Sequence, residues 1–180
     1  MIEGKGDLHE PPFFFAPLRI FVDPGGMNNS HQILWHRYRR LDPSAPLAAP
    51  PDFHFCDNQS DADLCADLVV RGIKRATASS LIELELIGQP LPKAGDLSLV
   101  TDWKGRARAL IRTRQVDIRR LGDIDATFAA LEGEGDGSLA WWRKTHLAYY
   151  QRVLAGSGVH VDEDLLIACE VFDCLISADG

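Results

Sequence analysis

The first half of the chain alternates helix-spaced apolar residues with breaks rich in proline and glycine. A helix starting at Ser30 is predicted by apolar residues that recur at i, i+4 and i+7, namely Leu34, Tyr38 and Leu41. The stretch 42–52 holds four prolines and is typical of an extended linker. A second helix is predicted between Ser60 and Gly72, with an inward face formed by Leu64, Leu68 and Val69.

The second half of the chain predicts a hairpin followed by helices and a last buried strand. Residues 81–87 fit either a strand or a short helix, since they alternate but lie between serine and Gly88. Strands over 97–103 and 106–116 are joined by a Lys-Gly turn, as in a hairpin. Later patterns predict a short helix, a longer helix and a strand, at 126–131, from Ser138 and at 165–176. This order predicts an α+β domain, built as a small, partly closed β-barrel with flanking helices.

Composition favours one globular domain and excludes several function classes. The 180 residues are 46% apolar and carry a net charge of -7, which argues against a uniformly basic nucleic-acid coat. No apolar run approaches the roughly 20 residues that span a bilayer. The four cysteines lack zinc-ligand spacing, so we expect neither a metal nor a disulfide framework, and a cytoplasmic location.

The ends of the chain are predicted to lie outside the domain. Residues 1–30 hold an apolar stretch broken by Pro17 and Arg19, which does not fit a secretory signal. We therefore interpret 1–30 as an N-terminal extension, 31–176 as the domain and 177–180 as a tail. The oligomeric state stays open, with a homodimer as one option.

Residues 104–120 concentrate positive charge on the second hairpin strand, where seven basic residues accompany one acid. Alternate residues of a strand share a face, so Arg106, Arg108, Arg112 and Arg114 are expected to point the same way, with Ala107, Ala109 and Ile111 facing the core. Such guanidinium groups suit phosphate oxygens. A solvated face whose charges pair with acids elsewhere is equally compatible with the pattern.

Two further segments carry candidate chemistry. Lys74 follows the helix-ending Gly72, where burial would lower its pKa and yield a neutral base near Thr77; an exposed lysine is the alternative. Glu132 and Glu134 lie in an acidic glycine loop that lacks the final ligand of a calcium-binding loop. Its glycines would let backbone approach a ligand, although a solvated loop at a helix start fits as well.

The helix after this loop supplies Trp142, Arg143 and His146. Trp142 and His146 share a face with apolar neighbours, which favours core packing for at least one of them. Arg143 lies one turn from the acidic loop and is placed to pair with that loop or with a ligand.

These segments together resemble the ASCH domain, a small PUA-like β-barrel associated with RNA. Gly72, Lys74 and Thr77 match its G-x-K-x-x-T motif. The chain further resembles a longer bacterial subgroup, through Trp35 and the ordered blocks 72–79, 92–96 and 132–139, followed by Trp142-Arg143 and His146.

The resemblance implies a cleft that binds RNA or a modified nucleoside, without a cofactor. One branch of the family hydrolyses the amide of acetylcytidine with a Lys, a Thr and a Glu. This implies Lys74, Thr77 and Glu132 as catalytic residues, with Glu134 competing for the acid's place. Binding residues are expected at Gly72, Arg75, Glu134, Arg112, Arg114, Trp142 and Arg143. A ribonuclease acting on single-stranded RNA and a non-catalytic RNA-binding module are the alternatives.

Overall fold

A computed structural model describes residues 29–179, so nearly all of the predicted extension 1–30 lies outside the described residues. The helices are α1 (Asn29–Leu41), α2 (Gln59–Val70), α3 (Leu81–Leu86), α4 (Ala126–Glu132) and α5 (Leu139–Val153). The strands are β1 (Asp52–Phe53), β2 (Ala76–Ser80), β3 (Leu97–Thr101), β4 (Ala107–Arg120) and β5 (Leu166–Ser177). None of the helices within 29–179 has the length and apolarity needed to cross a bilayer.

The strands form one five-stranded sheet in the order β1-β3-β4-β5-β2. β1 runs parallel to β3, and the other neighbours are antiparallel. The α+β class and the predicted hairpin are therefore confirmed. The sheet is not closed, because no pairing within residues 29–179 joins β1 to β2 at its two ends. A two-residue β1 offers too few backbone groups for a closing ladder.

Local signals set most of the boundaries. Ser80 and Ser138 accept hydrogen bonds from the backbone N–H three residues on and so begin α3 and α5. The stretch 81–87, which fits either a strand or a helix in sequence, is thus a short helix over Leu81–Leu86. The cap of α2 is Asn58 instead of the predicted Ser60, and Gly72 adopts the expected left-handed conformation after the helix, at φ 69°.

The long strand β4 joins two apolar clusters. Leu110 packs with Leu34 and Trp35 of α1, whereas Ile111 packs with Cys65 and Val69 of α2. Ala107, Ala109 and Ile111 are buried as predicted, and the predicted arginine face is interrupted by Leu110, which is buried as well. Helices cover both faces there, and β-bulges shift the register twice along the strand.

A third cluster lies where α4 and α5 cover β2 and β5. Trp142 and Tyr150 of α5 pack with Phe128 of α4 and Ile167 of β5, all nearly fully buried. Burying such large side chains contributes about 1.5–3 kcal/mol each. This cluster fixes the start of α5 against the end of α4, and the acidic glycine loop lies between these two helices.

Candidate functional site

A cavity of about 850 Å³ opens between α2, α3, α5 and the sheet. Its wall is largely apolar, and Phe53, Leu84 and Trp141 contribute to it. Polar side chains line it from several elements, among them the end of α4, strands β2 and β5, and helices α3 and α5. A volume of this size accommodates a nucleoside or another small organic molecule.

Lys74 lies behind this wall with only 1% of its surface exposed. Its Nζ donates hydrogen bonds to Glu132 Oε2 at 3.0 Å and to Glu134 Oε1 at 2.5 Å. Nζ also lies 5.0 Å from the centre of the Phe55 ring, a favourable cation–π distance. The segment is held by two backbone bonds, because Lys74 N donates to Leu68 O and the next N–H donates to Leu131 O. Of the two alternatives for Lys74, exposed or buried, the structure has the buried one.

The charge of Lys74 follows from its two carboxylate neighbours. Burial alone would lower its pKa, but the carboxylates of Glu132 and Glu134 outweigh burial and hold the pKa above its ordinary value. The sequence leaves two roles open for Lys74, a neutral base and a charged group that stabilises an oxyanion. The two carboxylates that converge on the ammonium favour the charged form. Lys74 is a buried cation.

Glu132 is the most buried carboxylate at the site, with 1% exposure. Burial would raise its pKa, but Lys74 and His146, whose Nε2 lies 3.6 Å from Oε2, together lower it well below the usual range. His146 is oriented by its other ring nitrogen, Nδ1, which bonds the carbonyl of Trp142 at 3.0 Å. The second oxygen, Oε1, is buried without a hydrogen-bond partner in residues 29–179. One lone-pair-bearing oxygen is therefore left unsatisfied beside the cavity.

Two glycines of the acidic loop, Gly133 and Gly135, serve packing within the chain. A Cβ on Gly133, at φ 65°, would come within 2.8 Å of the backbone of Ile73, and a Cβ on Gly135 would overlap the ring of Trp141. The expectation that these glycines admit a ligand's close approach is corrected here, since the space is already filled by Ile73 and Trp141. Glycine lets the chain turn tightly enough to aim Glu132 and Glu134 at one ammonium.

Thr77 lies in β2 and contributes to the cavity wall. It pairs in register with Glu170 of β5, which is also part of the wall. Burial raises the pKa of Glu170, whereas the hydroxyl of Thr113, which donates to it at 2.5 Å, lowers it. The sheet thus presents a hydroxyl and a carboxyl side by side to the cavity.

A second polar group of the wall links α3 to α5. Tyr149 OH donates to Glu83 Oε1 at 2.5 Å, and burial raises the pKa of both groups. Arg152, one turn further along α5, forms a two-pronged ion pair with Asp57 at 2.7 and 2.8 Å. These residues carry no recognisable sequence motif, so sequence reasoning missed them. Their contacts join α5 to α3 and to the segment between β1 and α2.

The remaining predicted binding residues lie away from the wall. Trp142 is buried and stacks on His146 at 3.9 Å between ring centres, while Arg143 donates to the carbonyls of Gly122 and Ile124. Gly72 and Arg75 are exposed on the surface.

The arginines of the basic strand have partners within the chain. Arg106, Arg108 and Arg114 contact Asp102, Asp67 and Asp173 respectively. Arg112 donates to Tyr38 OH at 2.6 Å. The arrangement agrees with the alternative of charges paired to acids elsewhere, while a binding role for Arg112 and Arg114 stays a prediction.

The described residues contain no candidate metal site. Across residues 29–179, no three side chains of His, Cys, Asp or Glu are grouped to hold a metal ion. What the site offers is a buried ammonium, two carboxylates that hold it, a histidine and a wall hydroxyl.

The fold and the site together define a small α+β domain that holds a ligand-sized cavity against a buried lysine–carboxylate cluster. The chain belongs to the ASCH domain family, whose sequence model matches residues 52–176. A crystal structure of an ASCH domain from Lactobacillus crispatus JV V101 is similar, with 31% identity and a TM-score of 0.72, over 83% of this chain and 96% of that chain. This likeness confirms the predicted PUA-like fold.

A second solved structure, from Enterococcus faecalis V583 and described under the family name DUF984, is also similar to this chain. It has 26% identity and a TM-score of 0.72, and covers 81% of this chain and 88% of its own. No curated protein matches the sequence. Membership of the longer bacterial subgroup stays a prediction.

Proposed function

We propose that this ASCH domain binds RNA-derived nucleosides in its cavity and hydrolyses the amide of an N-acylated cytidine-type nucleoside. ASCH domains in general bind RNA. The observation that carries the proposal is the buried Lys74 ammonium, held between Glu132 and Glu134 directly behind a wall that contains Thr77.

The charge of Lys74 supports one of two possible mechanisms. A protonated ammonium cannot remove a proton from Thr77, so its charge acts instead from behind the wall and stabilises the negative charge that develops on the acyl oxygen. The hydroxyl of Thr77 is the donor in the wall itself. Lys74 is poised for this because its pKa lies above the ordinary range, so it stays charged throughout the physiological interval.

Glu132 supplies the proton transfers. Its unpartnered Oε1 accepts a proton from water as the water oxygen bonds to the acyl carbon. The carbon–nitrogen bond then breaks, and the same proton passes to the exocyclic nitrogen. The products are the free amine of the nucleoside and a carboxylic acid, so atoms and protons balance without a cofactor.

The charge of the wall favours a neutral nucleoside over a polynucleotide. Seven carboxyl residues line the cavity: Asp52, Asp61, Glu83, Asp96, Glu132, Glu134 and Glu170. Among the lining side chains within residues 29–179 there is one lysine, Lys144, and one arginine, Arg152. A phosphate chain would meet net repulsion there, which makes phosphodiester cleavage inside the cavity the weaker proposal.

The experiment compares substrates and matched variants. Purified protein is incubated with N4-acetylcytidine, and cytidine is measured by chromatography. We expect Lys74→Ala to lose roughly 10²–10³-fold in kcat, the usual cost of removing a group that stabilises the oxyanion. Lys104→Ala, which removes an exposed lysine outside the cavity wall, should keep the full rate.

Variants of Thr77 and a parallel incubation with single-stranded RNA distinguish the amide hydrolase from a ribonuclease and from a binding module. Thr77→Val should lose activity, and Thr77→Ser should retain most of it, because the hydroxyl is what contributes. Shortened RNA without cytidine release would indicate a ribonuclease, and retarded RNA with neither product would indicate a binding module. Either of these results would overturn the proposal.

A further inference from the structure

Two cysteines of different elements meet at the cavity. Cys56 follows β1 and is half-buried in the wall, whereas Cys65 lies on α2 with 2% exposure. Their sulfurs are 3.8 Å apart, and both thiols are free. A disulfide needs about 2.05 Å, so the two sulfurs have to approach by only about 1.8 Å.

The backbone at Cys56 is unusual in a way that matters for this pair. Cys56 adopts φ 62° and is the one non-glycine residue of 29–179 in the left-handed region. Such conformations cost about 1–3 kcal/mol and persist where surrounding contacts hold them. Here the following residue, Asp57, is anchored by Arg152, and this fixes the segment that presents Cys56 to Cys65.

The surroundings of Cys65 provide a proton acceptor. Its Sγ donates to Glu134 Oε1 at 3.5 Å, and the same oxygen accepts from Lys74. The Cys56 thiol and burial raise the pKa of Cys65, so it remains a thiol until a proton acceptor and an electrophilic sulfur are both at hand. Glu134 and an oxidised Cys56 meet those two requirements.

We propose that Cys56 and Cys65 form a redox modification site, which a hydroperoxide converts reversibly to a disulfide. Cys56 attacks the peroxide: its sulfur–oxygen bond forms, the oxygen–oxygen bond breaks, and water or an alcohol leaves. Cys65 then transfers its proton to Glu134 as its sulfur attacks the sulfur of the Cys56 sulfenic acid. The sulfur–sulfur bond forms, the sulfur–oxygen bond of Cys56 breaks, and Glu134 passes the proton to the departing hydroxide, which leaves as water. Two electrons pass from the pair of thiols to the peroxide, and a small thiol such as glutathione returns them.

Oxidation would act directly on the site. The disulfide removes the S–H hydrogen bond from Cys65 to Glu134 and draws Cys65 Sγ toward Cys56. It also ties the segment after β1 to α2, and both contribute to the cavity wall. The chemistry of the pair does not depend on the proposed hydrolase activity, so the two proposals fail separately.

The test uses hydrogen peroxide on the whole chain, followed by thiol titration in denaturant and peptide mass mapping. We expect accessible thiols to fall from the four cysteines of the sequence to two, with one linked peptide joining Cys56 to Cys65. Excess dithiothreitol should restore all four. Cys174→Ser is the matched control, because Cys174 is exposed and far along the chain from the pair.

A second variant separates the two steps. In Cys65→Ala, Cys56 should stop at the sulfenic acid and be labelled by dimedone, whereas the wild-type protein should show little label. The proposal is overturned if Cys174 is oxidised while Cys56 stays reduced. It is equally overturned if the linked peptide joins other cysteines, or if dimedone labels the wild-type protein and Cys65→Ala to the same extent.

Discussion

Replacing Glu132 by glutamine tests the electrostatic description of the site with little change in shape. The carboxyl has a pKa of about 2 in place of its ordinary value near 4.5. At about 1.4 kcal/mol for each pH unit, the folded chain gains about 3 kcal/mol at neutral pH from ionising this group. The side chain is 1% exposed, so solvent does not screen the interaction. We therefore expect Glu132→Gln to lower the free energy of unfolding by about 3 kcal/mol at pH 7.

The pH dependence shows in which pH range ionised Glu132 stabilises the folded chain. Because the folded pKa lies below the unfolded one, this stabilisation is present above about pH 4.5 and disappears as the pH falls towards 2. The wild-type protein should lose stability across that interval more steeply than the variant. The two curves should converge near pH 2.

Urea unfolding followed by tryptophan fluorescence measures both quantities, since the chain has four tryptophans. Glu85→Gln, at an exposed position of α3, is the matched control and should change stability by less than about 0.5 kcal/mol. A loss below about 1 kcal/mol for Glu132→Gln, or parallel pH curves for variant and wild type, would refute the described ion pair.

Other substitutions probe the cavity wall and the acidic loop. Glu83→Gln should leave the free energy of unfolding at pH 7 unchanged or raised. Burial raises the pKa of Glu83, so its ionised form opposes folding as the pH rises. A loss comparable to that of Glu132→Gln in the same assay would contradict this. Gly135→Ala should destabilise by about 1–3 kcal/mol, since its Cβ would overlap Trp141, while Gly137→Ala has open space and should cost less; equal losses would contradict the packing. Tyr149→Phe should cost about 1–3 kcal/mol, because Glu83 loses its buried donor, and a neutral result in urea would contradict that bond.

Elements with strong periodic patterns could be predicted from the sequence. The hairpin, α5 and β5 each extend over many residues of consistent pattern, and their positions are confirmed. Leu64 shows where periodicity failed: it has the predicted helical spacing but is 51% exposed, because it borders the cavity instead of the core. Leu41, at 73% exposure, lies at the last position of α1. Periodicity identifies a helix face, but it does not show what covers that face.

The electrostatics of the candidate site could not be read from the sequence. The family resemblance implied Lys74, Thr77 and Glu132, with Glu134 as a competitor, yet Lys74 and Glu132 are 58 positions apart, and no local pattern encodes their 3.0 Å contact. The charge of the lysine follows from that contact. Likewise, Arg108 and Arg114 of β4 pair with acids of distant segments, Asp67 of α2 and Asp173 of β5, which no local pattern reveals.

The approach of Gly133 to Ile73 places a constraint on how this family can vary. A side chain at 133 would meet the backbone and the methyl group of residue 73, and the two segments are also joined by the bond from Arg75 N to Leu131 O. The segment that carries Lys74 and the acidic loop are therefore packed directly against each other, with no room for a side chain at position 133. A lineage that replaces the glycine has to reshape residues 73–75 at the same time, so substitutions at 73 and 133 should be inherited together.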